Sequence, residues 1–134
     1  PDYFAIFSGP GRTLLATSVR EGVATFFSRL ITGGSEHKNL AREFLLANEE
    51  RLWKAFQEEM LGSEMGDWLW RDPADSEQPR DVGYALGARI AEVYYEGAED
   101  IPQAVREILA VKDYPAFLEA SGYEEQFKDG TSVP

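Results

Sequence analysis

The chain has 134 residues, a formal net charge of −11 and no cysteine. This length points to one domain able to bury a core without staples, and the missing cysteines exclude disulfides, thiolate zinc sites and a cysteine nucleophile. The charge argues against nucleic-acid backbones and anionic membrane surfaces as partners, while remaining compatible with a basic partner or with plain solubility.

In chain order, Tyr3-Phe4-Ala5-Ile6-Phe7 reads as a short strand or extended arm, closed by the breaker Ser8-Gly9-Pro10-Gly11. A first helix is predicted from about Arg12 to Thr32, stopped by Gly33-Gly34. Val19, Val23, Phe26, Phe27 and Leu30 form its apolar stripe. Thr17, Glu21, Ala24 and Ser28 line up on the opposite side as a small, weakly polar face that would let another backbone approach closely. The region from about Lys38 to Leu61 is helical with a break near Asn48, a candidate cap for its second part, and Gly62 as the stop. Trp68-Leu69-Trp70 leads into a polar, proline-containing loop. A helix from about Asp81 to Glu96 then carries the stripe Val82, Leu86, Ile90 and Val93. Gly83 and Gly87 sit one turn apart within it. Interior glycines cost about 1 kcal/mol each relative to alanine, so a close helix crossing is expected at this face. Asp100 with Pro102, and Asp113 with Pro115, open two further helices; Gly122 ends the second, and the tail from about Lys128 reads as frayed.

No apolar stretch approaches the roughly 20 residues that span a bilayer, and no signal peptide is visible, so the compartment stays open. The single histidine, His37, excludes any mechanism within this chain that needs two or three imidazoles, and it sits in a loop context. Glu21 has two readings. It is either a solvent-facing glutamate, or a metal ligand or general base aimed at a neighbouring helix. One carboxylate alone does not hold zinc, which ordinarily takes three protein ligands. Tyr84 and Arg89 lie beside the glycine face, and with Arg20 they are the candidate groups for binding a substrate or partner. No residue is assigned as catalytic. The acidic pairs Glu49-Glu50, Glu58-Glu59 and Glu124-Glu125 read as solvated helix faces.

Several segments occur in an order that resembles a known family. They are Arg20-Glu21-Gly22 with Phe26-Phe27, Leu52-Trp53 with Phe56, Trp68-Leu69-Trp70, Pro79-Arg80-Asp81-Val82-Gly83-Tyr84 with Gly87 and Ile90, and Asp113-Tyr114 with Phe117-Leu118 and Ser121-Gly122-Tyr123. Together they resemble the C-terminal half of the bacterial zinc-dependent, zincin-like peptidases related to the gliding-motility lipoprotein. The resemblance covers about residues 12 to 123 and implies a zincin-like helical domain. In it a His-Glu-x-x-His helix precedes the Arg-Glu-Gly helix, and Glu21 matches the third zinc ligand. This chain contains no His-Glu-x-x-His. The resemblance therefore implies a domain that is non-catalytic as it stands, a fragment or a degenerate member, with zinc as the cofactor of the complete family and none expected here.

The expected fold is all-α: a single compact helical domain over residues 1–134, of five or six helices, with a short N-terminal extended arm over residues 1–10. The alternative function is a helical binding or assembly module that self-associates as a homodimer, or takes a peptide or protein partner in a groove near Glu21 and Tyr84. Neither nucleic acid nor membrane insertion is expected.

Overall fold

The computed structural model describes residues 13–33, 40–70, 78–79 and 81–128. The arm at 3–7, His37, Arg80 and the end of the tail lie outside the described residues. Those residues form six α-helices and no strand: α1 Leu14–Thr32, α2 Leu40–Ala47, α3 Glu49–Glu59, α4 Val82–Glu96, α5 Ile101–Leu109 and α6 Tyr114–Ser121. A π-helical turn, Gly66–Trp70, precedes α4, and a 3₁₀ turn, Tyr123–Phe127, follows α6. The protein is all-α, as its helical periodicity predicts.

Local signals set most of the boundaries. Thr13 caps α1, its hydroxyl accepting from Ala16 N–H at 3.0 Å. The next free amides of that first turn, on Leu14 and Leu15, donate to the carbonyls of Gly62 and Met60, each at 2.8 Å. The end of the α3 segment thereby satisfies a helix terminus that would otherwise be orphaned. Gly33 ends α1 in the left-handed region at φ 78°, which glycine reaches without steric cost. Asp100 and Asp113 cap α5 and α6 as expected, accepting from Gln103 and Ala116 at 3.1 and 3.0 Å, with Pro102 and Pro115 in the first turns.

The break at Asn48 is real, but its side chain does not cap α3. Its amide nitrogen instead donates backward to the Phe44 carbonyl at 2.9 Å. Likewise α3 stops at Glu59 and not at Gly62, since the chain must turn there to reach the start of α1.

α4 is the central element. Nine of its 15 residues are buried, and α1, α2, α5, α6 and the π-turn all pack on it. Around the α1–α4 pair the core is closed by aromatic rings. Trp53 and Phe56 of α3 meet Tyr123 and Trp68 edge-on, both at 5.1 Å between centroids. Edge-to-face pairs of this kind add to the energy of area burial. Among the described residues no helix is long and apolar enough to cross a membrane.

Candidate functional site

At the α1–α4 crossing the two backbones come into direct contact. A Cβ placed on Gly22 would lie 2.6 Å from the Gly87 carbonyl carbon and 2.7 Å from the Tyr84 carbonyl oxygen. A Cβ on Gly87 would run into the Ser18 carbonyl and lie 2.8 Å from Val19 N. Neither backbone can yield to a side chain, so glycine is required on both helices. The expectation of a close helix crossing therefore holds at Gly87. Gly83 differs: its missing Cβ faces Leu69 and Trp68 of the π-turn, at 2.7 and 3.1 Å.

The close face of α1 also differs from the expected one. It is the line Ser18–Gly22, one helical turn apart, and not Thr17–Glu21–Ala24–Ser28. A residue is rotated by about 100° from its neighbour in an α-helix, so burying Gly22 turns Glu21 outward. Glu21, Ala24 and Ser28 are exposed and Thr17 is half-buried.

The sequence-derived candidates are arranged as follows. Glu21 is exposed at the edge of the crossing, and no three His, Cys, Asp or Glu side chains among the described residues gather to hold a metal ion. Zinc ordinarily takes three protein ligands, so the described donor set does not fit zinc. Arg20 is exposed, with its guanidinium 5.7 Å above the Tyr114 ring, a cation–π placement that ties α1 to α6. Tyr84 is half-buried, and its backbone lies against Gly22.

Arg89, expected beside the glycine face, lies inside an ionic cluster further along the α1–α4 pair. Its Nε donates to Glu49 Oε2 at 2.9 Å and its Nη1 lies 3.3 Å from Glu92 Oε1. Glu92 also accepts from both terminal nitrogens of Arg42, at 2.9 and 3.3 Å, and pairs with Arg29 at 3.4 Å. Tyr123 donates its phenol proton to Glu49 at 2.8 Å. Groups from α1, α2, α3, α4 and the 3₁₀ turn thus meet in one network.

The network's titration follows from its composition. Burial pushes the Glu92 carboxyl up, but the Arg42 hydrogen bonds and the charges of Arg42, Arg29 and Arg89 together outweigh it, holding the group below the ordinary carboxylate range. For Arg89 burial works against the charge, and Glu49 and Glu92 more than restore it. Burial, then the charge of Glu49, pushes the Tyr123 phenol far up. Glu49, read from sequence as part of a solvated face, has a side chain only 14 % exposed, whereas Glu50 is exposed.

Arg29, Arg42, Glu49, Glu92 and Tyr123 were not legible as a group. The only hint was Glu92, a charge set between the stripe residues Ile90 and Val93. The Ser18 hydroxyl, fully buried at the crossing, has no hydrogen-bond partner among the described residues, and Arg29 Nη2 is buried with only its ion pair to Glu92.

An open cleft of about 320 Å³ is lined by Tyr94, Asp100, Gln103, Glu107 and Ser121 among others. Its polar groups serve the fold. Tyr94 donates to Glu107, which raises the phenol and lowers the carboxyl, and Gln103 donates to the other Glu107 oxygen at 2.8 Å. Asp100 is the α5 cap.

Comparison with models of known families, with curated proteins and with solved structures finds no match to this chain.

Proposed function

We propose that this chain is a zincin-like helical domain of the zinc-dependent peptidase family related to the gliding-motility lipoprotein, non-catalytic as it stands. One observation carries the reading. Two of the motifs that carry the resemblance, Arg20-Glu21-Gly22 and Gly83-Tyr84…Gly87, lie about sixty residues apart in sequence, yet they are the two sides of one crossing, Gly22 against Tyr84 and Gly87. Gly22 makes that contact, and helix geometry turns Glu21 away from it, available to a further element. The single carboxylate supplies one ligand of the three that zinc ordinarily takes. In this reading the chain positions Glu21 and does not activate water by itself.

Metal analysis after exhaustive dialysis is expected to find no retained zinc, with no peptide hydrolysis. Stoichiometric zinc held within one chain contradicts the non-catalytic part. A His-Glu-x-x-His helix fused ahead of α1 tests the family part: zinc retention is expected to appear and to be lost again with Glu21→Gln. No retention in the fusion contradicts it.

A second reading, a helical assembly module forming a homodimer or taking a peptide near Glu21 and Tyr84, is favoured by the apolar end of the same face. Ile31, at the edge of that face, is 85 % exposed, the kind of apolar side chain that a partner covers. It predicts a dimer in sedimentation at micromolar concentration that tightens as salt screens the net charge of −11. A monomer under all salt conditions contradicts the homodimer.

A further inference from the structure

α2 is attached to the domain differently from its neighbours. It has only eight residues, and isolated helices shorter than about 12–15 residues are marginal in water. Its buried apolar residues are Ala41 and Leu45, with Phe44 half-buried, while Leu40 and Leu46 are largely exposed. α3, by contrast, buries Leu52, Trp53 and Phe56. The two helices do not share a ladder. Asn48 interrupts them at φ −134° and ψ 28°, and its carbonyl accepts from Leu52 N–H at 2.9 Å, so the first turn of α3 closes without α2. α3 also has its own ionic tie, from Glu49 to Arg89 and Tyr123. The tie of α2 to α4 is the Arg42 fork on Glu92. The other charged groups facing Glu92 are Arg29 from α1 and Arg89 from α4 itself, with Glu49 of α3 and the Tyr123 phenol reached through Arg89.

We propose that α2 opens as a unit separate from the rest of the domain, hinged at Asn48 and latched by the Arg42–Glu92 pair. Little apolar area holds it, with only Ala41 and Leu45 buried, so its closed population depends on this charge-assisted fork. Opening uncovers the flank of α4 on which α2 packs, together with the side chains of Ala41 and Leu45. The remaining core of α1, α3, α4 and α6 stays closed. Local openings of this kind occur below the cost of global unfolding, and native-state hydrogen exchange resolves them segment by segment.

The test is hydrogen exchange of the intact chain, read per segment, for the wild type, Arg42→Met and Arg42→Lys. Arg42→Met keeps the apolar stem and removes the fork. Exchange at residues 44–48 is expected to accelerate by roughly tenfold, with α3, α4 and α6 unchanged. Arg42→Lys, which keeps the charge but not the paired donors, is expected to fall between. Unchanged exchange over 44–48 in both variants overturns the proposal. So does an equal acceleration across α1, α3 and α4, because α2 is then part of one cooperative unit.

Discussion

The same two helices, α1 and α4, meet in two chemically opposite ways. At Gly22 and Gly87 they touch backbone to backbone, with no side chain between them. About two turns further along α1, Arg29 reaches Glu92 through a network of three arginines and two glutamates. The first contact tolerates nothing larger than hydrogen and draws its strength from dispersion and dry packing. The second is polar and partly wetted, its arginine side chains 20–26 % exposed. The close crossing fixes the rotation of α1, and so the direction of Glu21. The ionic cluster gathers α2 and α3 around the pair.

If this division is right, the glycine contact should be the less forgiving. Gly87→Ala is expected to destabilise by about 3 kcal/mol, the upper end of overpacking, because the new methyl meets the α1 backbone and not a movable side chain. A denaturant melt close to wild type would mean that the helices can separate at low cost.

In the cluster, Glu92→Gln is expected to cost less, about 2 kcal/mol. Removing one partner of a buried pair is severe, but solvent reaches these arginines and softens the loss. The same group fixes the acid response. Its folded pKa is held below its ordinary value of 4.5, so its contribution is fully present above that pH. It is lost as pH falls through the lowered folded value. Melts from pH 7 downward should therefore show the wild type losing stability below about pH 4.5 more steeply than Glu92→Gln.

Ser18→Ala sharpens the contrast from the other side. It removes a fully buried hydroxyl that has no hydrogen-bond partner among the described residues from the dry contact, and a stabilisation of about 1 kcal/mol is expected in the same melts. The smallest effect belongs to Glu21. Exposed and outside both contacts, it should change stability by less than about 0.5 kcal/mol when replaced by Gln. A larger loss would show that the fold, and not a site, requires it.

What sequence reasoning recovered and what it missed divide along the same line. Asp100 and Asp113 were legible as caps because a cap is a local event, decided within three residues of the helix start. Gly87 was legible because an interior glycine costs helix stability and demands a reason. Its partner was not: Gly22 is adjacent to Glu21, whose aligned small residues Thr17, Ala24 and Ser28 mark a face about 100° from the one that makes the contact. The cluster was the least legible. Arg42 is fifty residues from Glu92 and Tyr123 is seventy-four from Glu49. In one dimension Glu49 looks the same as Glu50, which stays in water. The π-turn was hidden for a similar reason, since Trp68 and Leu69 take their places from Phe56 and Gly83.

The central claim is that Gly22 and Gly87 form one contact, joining the two family-like motifs and setting the direction of Glu21. A double-mutant cycle with Gly22→Ala, Gly87→Ala and the pair tests it most directly. Once one methyl has pushed the helices apart, the second should cost little. The account predicts that the double variant is less destabilised than the sum of the singles by about 1–2 kcal/mol. Additive losses would mean that the two glycines answer to separate neighbours, and would contradict it.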